Sequence, residues 1–228
     1  MPDNRTEMDR VYRHRALKPG KYSLDNPGNQ FNFHLLRERI NAHLHAVFDN
    51  TASVRMLDLG AGELFWADQI RAMGISSGTI VACDLLHWRL AKGRREGREI
   101  TAVNASAEQL PFPDRSFDLV CQFTLMTSIL EPGMRHKIAS EMLRVLKPGG
   151  YILWYDFRYR NPFNRNTRAV GRTELIRLFA GVPIAMEKIT LIPQIARRSP
   201  RWSISLLKQA YRLAILRSHY LALIGPKG

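Results

Sequence analysis

The chain has 228 residues with 45% hydrophobic content, enough to bury a sizeable core, so disordered and fibrous classes are excluded. Thirty-four basic against twenty acidic side chains give a formal net charge of +14. The excess is local: residues 151–228 hold fourteen basic and three acidic side chains while residues 51–150 are nearly balanced, which points to an anionic partner for the last third.

The opening MPDNRTEMDR is too polar for a secretory leader. Residues 1–28 are interrupted by Pro2, Pro19, Gly20, Pro27 and Gly28 and read as an irregular arm. From Asn29 the apolar positions Phe31, Phe33, Leu35, Leu36, Ile40, Leu44 and Val47 share roughly one helical face, predicting a helix to about Phe48. Residues 54–59 read as a strand running into glycines, 64–73 as a helix, 79–83 as a second strand closing on Asp84, 86–97 as a basic helix and 100–103 as a third strand. Residues 117–123 form a fourth strand and 133–146 a helix, and Lys147-Pro148-Gly149-Gly150 is a stop before a strand over 151–156. Beyond these, 172–179 and 203–217 look helical, and 185–192 and 219–224 strand-like. Strands alternating with helices imply a doubly wound α/β architecture with a mostly parallel sheet and right-handed crossovers.

Cys83 and Cys121 each lie within an apolar run, without metal spacing or a disulfide framework, and read as buried thiols of a reducing cytoplasm. No stretch approaches the ~18 apolar residues of a membrane span.

The chemistry concentrates in the turn Asp58-Leu59-Gly60-Ala61-Gly62, where glycines let backbone approach a ligand and a helix N-terminus favours negative charge. Position 65 is Phe, so the third glycine of a dinucleotide fingerprint is missing. Asp84 ends the second strand beside that turn, where a carboxylate can accept both hydroxyls of a ribose. The segments Leu57-Asp-Leu-Gly-Ala-Gly62, Val81-Ala-Cys-Asp84, Ala107-Glu-Gln-Leu-Pro-Phe-Pro-Asp-Arg-Ser-Phe-Asp118 and Glu141-Met-Leu-Arg-Val-Leu-Lys-Pro-Gly-Gly150 follow one another across roughly residues 54–156. In that order and spacing the chain resembles the class I S-adenosylmethionine-dependent methyltransferases, in particular the bacterial type 11-like group acting on small molecules and glycans.

The resemblance implies a seven-stranded Rossmann-like sheet with an antiparallel last strand, S-adenosyl-L-methionine as cofactor, and direct in-line methyl transfer with no metal. Residues 1–50 would be an arm and helix covering the cofactor, and residues 51–228 a single methyltransferase domain whose basic part, 151–228, is the substrate side. Gly60, Ala61 and Gly62 would line the methionine, with Asp58 near its ammonium. Asp84 would hold the ribose, Leu85 pack on the adenine, Ser106 and Ala107 meet the adenine edge, and Gln122 border the methyl group. Three departures from the pattern stand out: Leu64 replaces a glycine, Ser106 an aspartate, and Thr127-Ser128 a pair of histidines.

A hydroxyl acceptor needs a proton acceptor. Asp156, ending the fifth strand at the crevice where such sheets place ligands, is the first candidate, followed by His34 and His136. Tyr155 reads as packing, while Tyr12 and Tyr22 in the arm are placed to close over a ligand. Arg158, Arg160, Arg165 and Arg168 follow Asp156 and can fork toward phosphate or carboxylate; Arg158 and Arg165, with Tyr22, are the expected substrate contacts.

The acceptor expected is a small or glycan-type, anionic or lipid-linked molecule methylated on oxygen; the segments Lys21-Tyr-Ser-Leu-Asp-Asn-Pro-Gly28 and Ile152-Leu-Trp-Tyr-Asp-Phe-Arg158 resemble a bacterial subgroup of that family, and the resemblance implies polysaccharide or secondary-metabolite synthesis. Residues 203–217, with Arg197, Arg198 and Arg201, read first as a core-packing helix and second as a basic amphipathic element that could touch the inner membrane from the cytoplasm. An RNA methyltransferase is one alternative, although Gln122-Phe-Thr-Leu lacks the proline-rich motif of base-nitrogen chemistry. A degenerate cofactor-binding partner subunit is the other.

Overall fold

The computed structural model describes residues 4–16, 23–160, 166–198 and 204–228. In chain order the elements are α1 (Asn4–Ala16), α2 (Pro27–Val47), β1 (Met56–Leu59), α3 (Phe65–Arg71), β2 (Ile80–Asp84), α4 (His87–Arg95), β3 (Thr101–Asn104), β4 (Phe117–Phe123), α5 (Pro132–Val145), β5 (Leu146–Phe157), α6 (Arg172–Leu178), β6 (Ile184–Leu191), α7 (Pro193–Arg198), α8 (Ile204–Arg212) and β7 (Arg217–Ile224). They build one seven-stranded sheet in the order β3-β2-β1-β4-β5-β7-β6. The sheet is mostly parallel with an antiparallel last strand, the Rossmann-like arrangement expected.

The chain clusters into two units, one of residues 1–42 with 188–219 and one of residues 43–187 with 220–228. In that grouping the first helix and most of the second fall with residues 188–219, because packing ignores chain order. No helix among the described residues is long and apolar enough to cross a membrane.

The larger unit is organised by β1. All four of its residues are buried, as a central strand covered on both faces requires. It pairs in parallel with β2 and with β4, so that Asp58 is level with Ala82 and Cys121, and Leu59 with Cys83 and Gln122. Trp154, Phe117 and Phe179 are the largest fully buried rings, and Trp154 meets Phe179 edge-on at 5.8 Å. Cys83 and Cys121 are buried free thiols, pushed up by burial, Cys83 to about 12.

In the smaller unit Asn26 caps α2, its Oδ1 accepting from Gly28 and Asn29 N–H at 3.0 and 3.1 Å, with Pro27 as the first helical residue. The helix therefore starts two residues before the predicted Asn29. Asn32 on α2 exchanges two 2.9 Å hydrogen bonds with the Leu191 backbone.

Three expectations are corrected. Residues 4–16 are helical rather than irregular, because every proline and glycine breaker lies outside that span and Arg13 pairs with Asp9 one turn away at 2.7 Å. The Lys147–Gly150 stop belongs to β5: Gly149 N–H donates to the Lys227 carbonyl and Lys227 N–H to the Gly150 carbonyl, so a distant strand end continues the ladder. The predicted helix over 203–217 is α8 followed by a turn of 3-10 helix at Ala214–Leu216.

Candidate active site

The β1–α3 turn is built by backbone geometry. Gly60 and Gly62 have φ of +75° and +55°, which side chains disfavour, and a methyl at Gly60 would meet Leu125 Cδ1 at 2.9 Å. Gly60 and Ala61 donate their N–H groups to the Cys83 carbonyl at 2.8 and 3.0 Å, tying the turn to the end of β2. The Gly62 N–H donates to Asp84 Oδ2 and the Leu86 N–H to Asp84 Oδ1, each at 2.8 Å. Asp84 is thus gripped from both sides by backbone N–H groups, and its Oδ1, which among the described residues accepts from Leu86 alone, keeps a lone pair for a further donor. Arg89 Nη1 lies 3.5 Å from Asp84, and its guanidinium occupies the space a Gly62 side chain would need. Asn104 Nδ2 donates to the Asp84 and Leu85 carbonyls, holding the β2 end against β3.

Asp58 is buried, and its Oδ2 has no hydrogen-bond partner among the described residues. Burial, followed by the charge of Asp84, pushes its carboxyl up to about 7 against the opposing Ala67 N–H. Gln122 is fully buried; its Oε1 accepts from Leu125 N–H at 2.9 Å and its Nε2 donates to the Tyr155 carbonyl at 3.3 Å. Leu85, Ser106 and Ala107 are half-buried in the loops after β2 and β3, and the Ser106 hydroxyl accepts from Glu108 N–H.

Asp156 near the end of β5 is buried, accepting from Thr127 N–H at 3.0 Å and Phe157 N–H at 2.8 Å. Burial raises its carboxyl to about 7, although those N–H groups, Arg135 and Gln122 favour the ionised form. Trp66, at the start of α3, stacks on Phe123 at the end of β4 with centroids 4.6 Å apart and an interplanar angle of 13°. Tyr155 lies 6.3 Å from Phe123, so an aromatic wall runs along the carboxyl ends of β4 and β5.

Residues 56–150 match the family model described as a methyltransferase domain. The chain is 38% identical over 109 residues to the demethylmenaquinone methyltransferase of Clavibacter sepedonicus, covering 46% of this chain and 42% of that one. It is 34% identical over 145 residues to the ubiquinone/menaquinone biosynthesis C-methyltransferase UbiE of Proteus mirabilis, covering 60% and 55%. The chain thus spans about half the length of the curated relatives it matches. The fold is also that of the geranyl diphosphate C-methyltransferase of Streptomyces coelicolor, at TM-score 0.59 and 16% identity over 82% of this chain and 76% of that one. Residues 56–150 thus match a methyltransferase domain, and the cofactor of that activity is S-adenosylmethionine. The residues at its glycine turn fit that cofactor: a buried Asp58 carboxyl oxygen lacks a partner among the described residues, and the Asp84 carboxylate is fixed by two backbone N–H groups with its Oδ1 able to accept again.

The methyltransferase domain brings Asp58, Gly60, Gly62, Asp84 and Gln122 to neighbouring strand ends. His136 is exposed on α5, and His34 is exposed on α2 of the other unit. Tyr22 and Arg165 lie outside the described residues. Arg158 follows β5, its guanidinium 3.9 Å from the Tyr159 ring, and its buried Nη1 has no hydrogen-bond partner among the described residues.

Several functional supports escaped the sequence reading. Leu64, the residue in place of a glycine, keeps φ +64° and is fully buried, so its side chain joins the core. Arg144 donates to the Leu110 and Phe112 carbonyls at 3.0 and 2.8 Å and pairs with Glu141, which accepts from Leu110 N–H at 2.6 Å. The pair staples the proline loop to α5 and holds the Glu141 carboxyl below its usual range. Arg135, fully buried, donates to the Ile129, Arg168 and Ala169 carbonyls and pairs with Glu174 at 2.8 Å. A Glu-x-x-Arg spacing on a helix signalled the first pair; nothing local signalled the second.

Proposed function

We propose that the chain transfers a methyl group from S-adenosylmethionine to a small molecule with a planar, electron-rich ring. The observation that carries this reading is the buried Asp58 carboxyl at the glycine turn, whose unpartnered Oδ2 a cationic amine would satisfy. When bound, S-adenosylmethionine supplies an electrophilic methyl group on a sulfonium. In this reading Asp84, braced by Gly62 and Leu86, accepts the ribose hydroxyls. Leu85, Ser106 and Ala107 flank the adenine, Gly60, Ala61 and Gly62 follow the methionine backbone, and Gln122 borders the reacting end. The chain's task is then alignment and exclusion of water.

Two observations support an aromatic acceptor. The curated relatives are named a demethylmenaquinone methyltransferase and a ubiquinone/menaquinone biosynthesis C-methyltransferase, and the stacked Trp66 and Phe123 rings, with Tyr155 tilted beside them, gather aromatic surface at the same strand ends. A buried carboxyl near 7, such as that of Asp156, can take a proton from a phenolic or ring position at neutral pH. A second reading, oxygen methylation of an anionic glycan-type acceptor, is favoured by the unpartnered Nη1 of Arg158.

The test is calorimetric titration with S-adenosylmethionine followed by labelled methyl transfer to hydroquinones, acidic glycans and total RNA. Micromolar cofactor binding and turnover on hydroquinones is expected. Turnover on acidic glycans alone transfers the conclusion to the second reading, and labelling of RNA with a steep salt dependence to nucleic acid. Absence of cofactor binding at millimolar concentration overturns the enzyme in favour of a non-catalytic partner module.

A further inference from the structure

In the smaller unit, α8 commits few of its side chains to the core. Leu207 packs with Leu191 and Ala196, joined by Phe31, Ala210, Tyr211 and Leu216. Ile204, Leu206, Leu213 and Ile215 remain exposed at 53%, 54%, 57% and 71%, and Ile195 on α7 at 39%. Nine large hydrophobics are exposed among the described residues, and these five of them lie within 21 positions. Scattered exposed aliphatics are ordinary, but a concentration of this kind marks a surface that meets something apolar.

The charges nearby indicate what that surface meets. Arg198, Lys208 and Arg212, on the same two helices, are exposed as well. From Lys188 to the end of the sequence there are eight basic residues and no acidic one. We propose that α7, α8 and the turn after α8 dock on an anionic lipid bilayer, the aliphatics entering the headgroup boundary and the cations resting on lipid phosphates. A second copy of the chain is the poorer occupant, because this face against itself would bring like charges together. Nine residues of α8 extend only about 14 Å, so the element lies in the interface and does not span it.

The experiment is flotation of the full chain with vesicles of phosphatidylcholine alone or mixed with phosphatidylglycerol, in low and high salt, with sedimentation velocity on the lipid-free protein. Binding to the phosphatidylglycerol vesicles is expected, weakened by salt, with little binding to phosphatidylcholine alone. The double variants Leu213→Ser/Ile215→Ser and Lys208→Glu/Arg212→Glu change exposed side chains, so both should keep the wild-type circular dichroism and thermal transition. Each should lose at least about tenfold in vesicle partition. Failure to bind anionic vesicles, or unaltered binding by both variants, overturns the proposal. So does a concentration-dependent dimer that Leu213→Ser/Ile215→Ser abolishes while vesicles are ignored. None of these readouts depends on cofactor or acceptor, so they are independent of the catalytic reading.

Discussion

Gly62 and Asp84 are 22 residues apart in sequence and joined by a 2.8 Å hydrogen bond from the glycine N–H to the aspartate Oδ2. The bond makes one side chain the brace of the glycine turn as well as its neighbour. Loss of Asp84 therefore acts on the turn before it acts on any ligand.

Asp84→Ala should strand the Gly62 and Leu86 N–H groups, at about 1–3 kcal/mol each, and lower the thermal midpoint. Asp84→Asn keeps one carbonyl acceptor and should fold better, yet lose at least about tenfold in S-adenosylmethionine affinity, because an amide replaces one acceptor oxygen with a donor. Calorimetry on the Asn variant separates the two roles. Wild-type affinity there would remove Asp84 from the cofactor site.

Asp58 gives a pH signature. Its carboxyl is pushed up to about 7 from 3.8. Below the lower value both folded and unfolded chains carry the proton, and between the two values the folded chain alone retains it. Stability therefore falls as pH rises through that window, and the penalty is complete above about 7. Asp58→Asn removes it. Denaturant unfolding across the window should show the variant gaining on the wild type as pH rises, by about 4 kcal/mol at the plateau. A pH-independent difference would contradict the buried carboxyl. Cofactor affinity of the wild type should strengthen with pH over the same range, because the ionised form is the better partner for a cation.

Leu64 sets two effects against each other. Its left-handed backbone costs roughly 1–2 kcal/mol, whereas deleting a fully buried leucine side chain costs about 2–5 kcal/mol. Leu64→Gly should therefore destabilise the domain on balance, although a glycine suits that φ. Cofactor affinity should change little, because the side chain belongs to the core. A stabilised variant would mean that strain outweighs burial.

Arg135→Met should be the most damaging of these changes, at about 3–5 kcal/mol. The Ile129, Arg168 and Ala169 carbonyls lose their donor, while Glu174 keeps a second cation, Arg168, at 3.5 Å. Chemical denaturation measures the loss. A cost below about 1 kcal/mol would show that water replaces the guanidinium.

The sequence alone carried the strand and helix alternation, the glycine turn and the placement of Asp58, Asp84, Gln122 and Asp156 at or near strand ends, because hydrophobic periodicity and turn chemistry are local properties. Tertiary structure decided the rest. The helix at Asn4–Ala16 and the extension of β5 through Lys147–Gly150 depend on what those segments meet. The carboxyls of Asp58 and Asp156 reach about 7 through burial. Arg135 became a buried crosslink, whereas Ile204, Leu206, Leu213 and Ile215 stayed exposed, although periodicity would have placed the charged side chain outside and the aliphatic ones inside. Local spacing tells which residues could share a face; which faces are covered is fixed only when distant parts of the chain pack together.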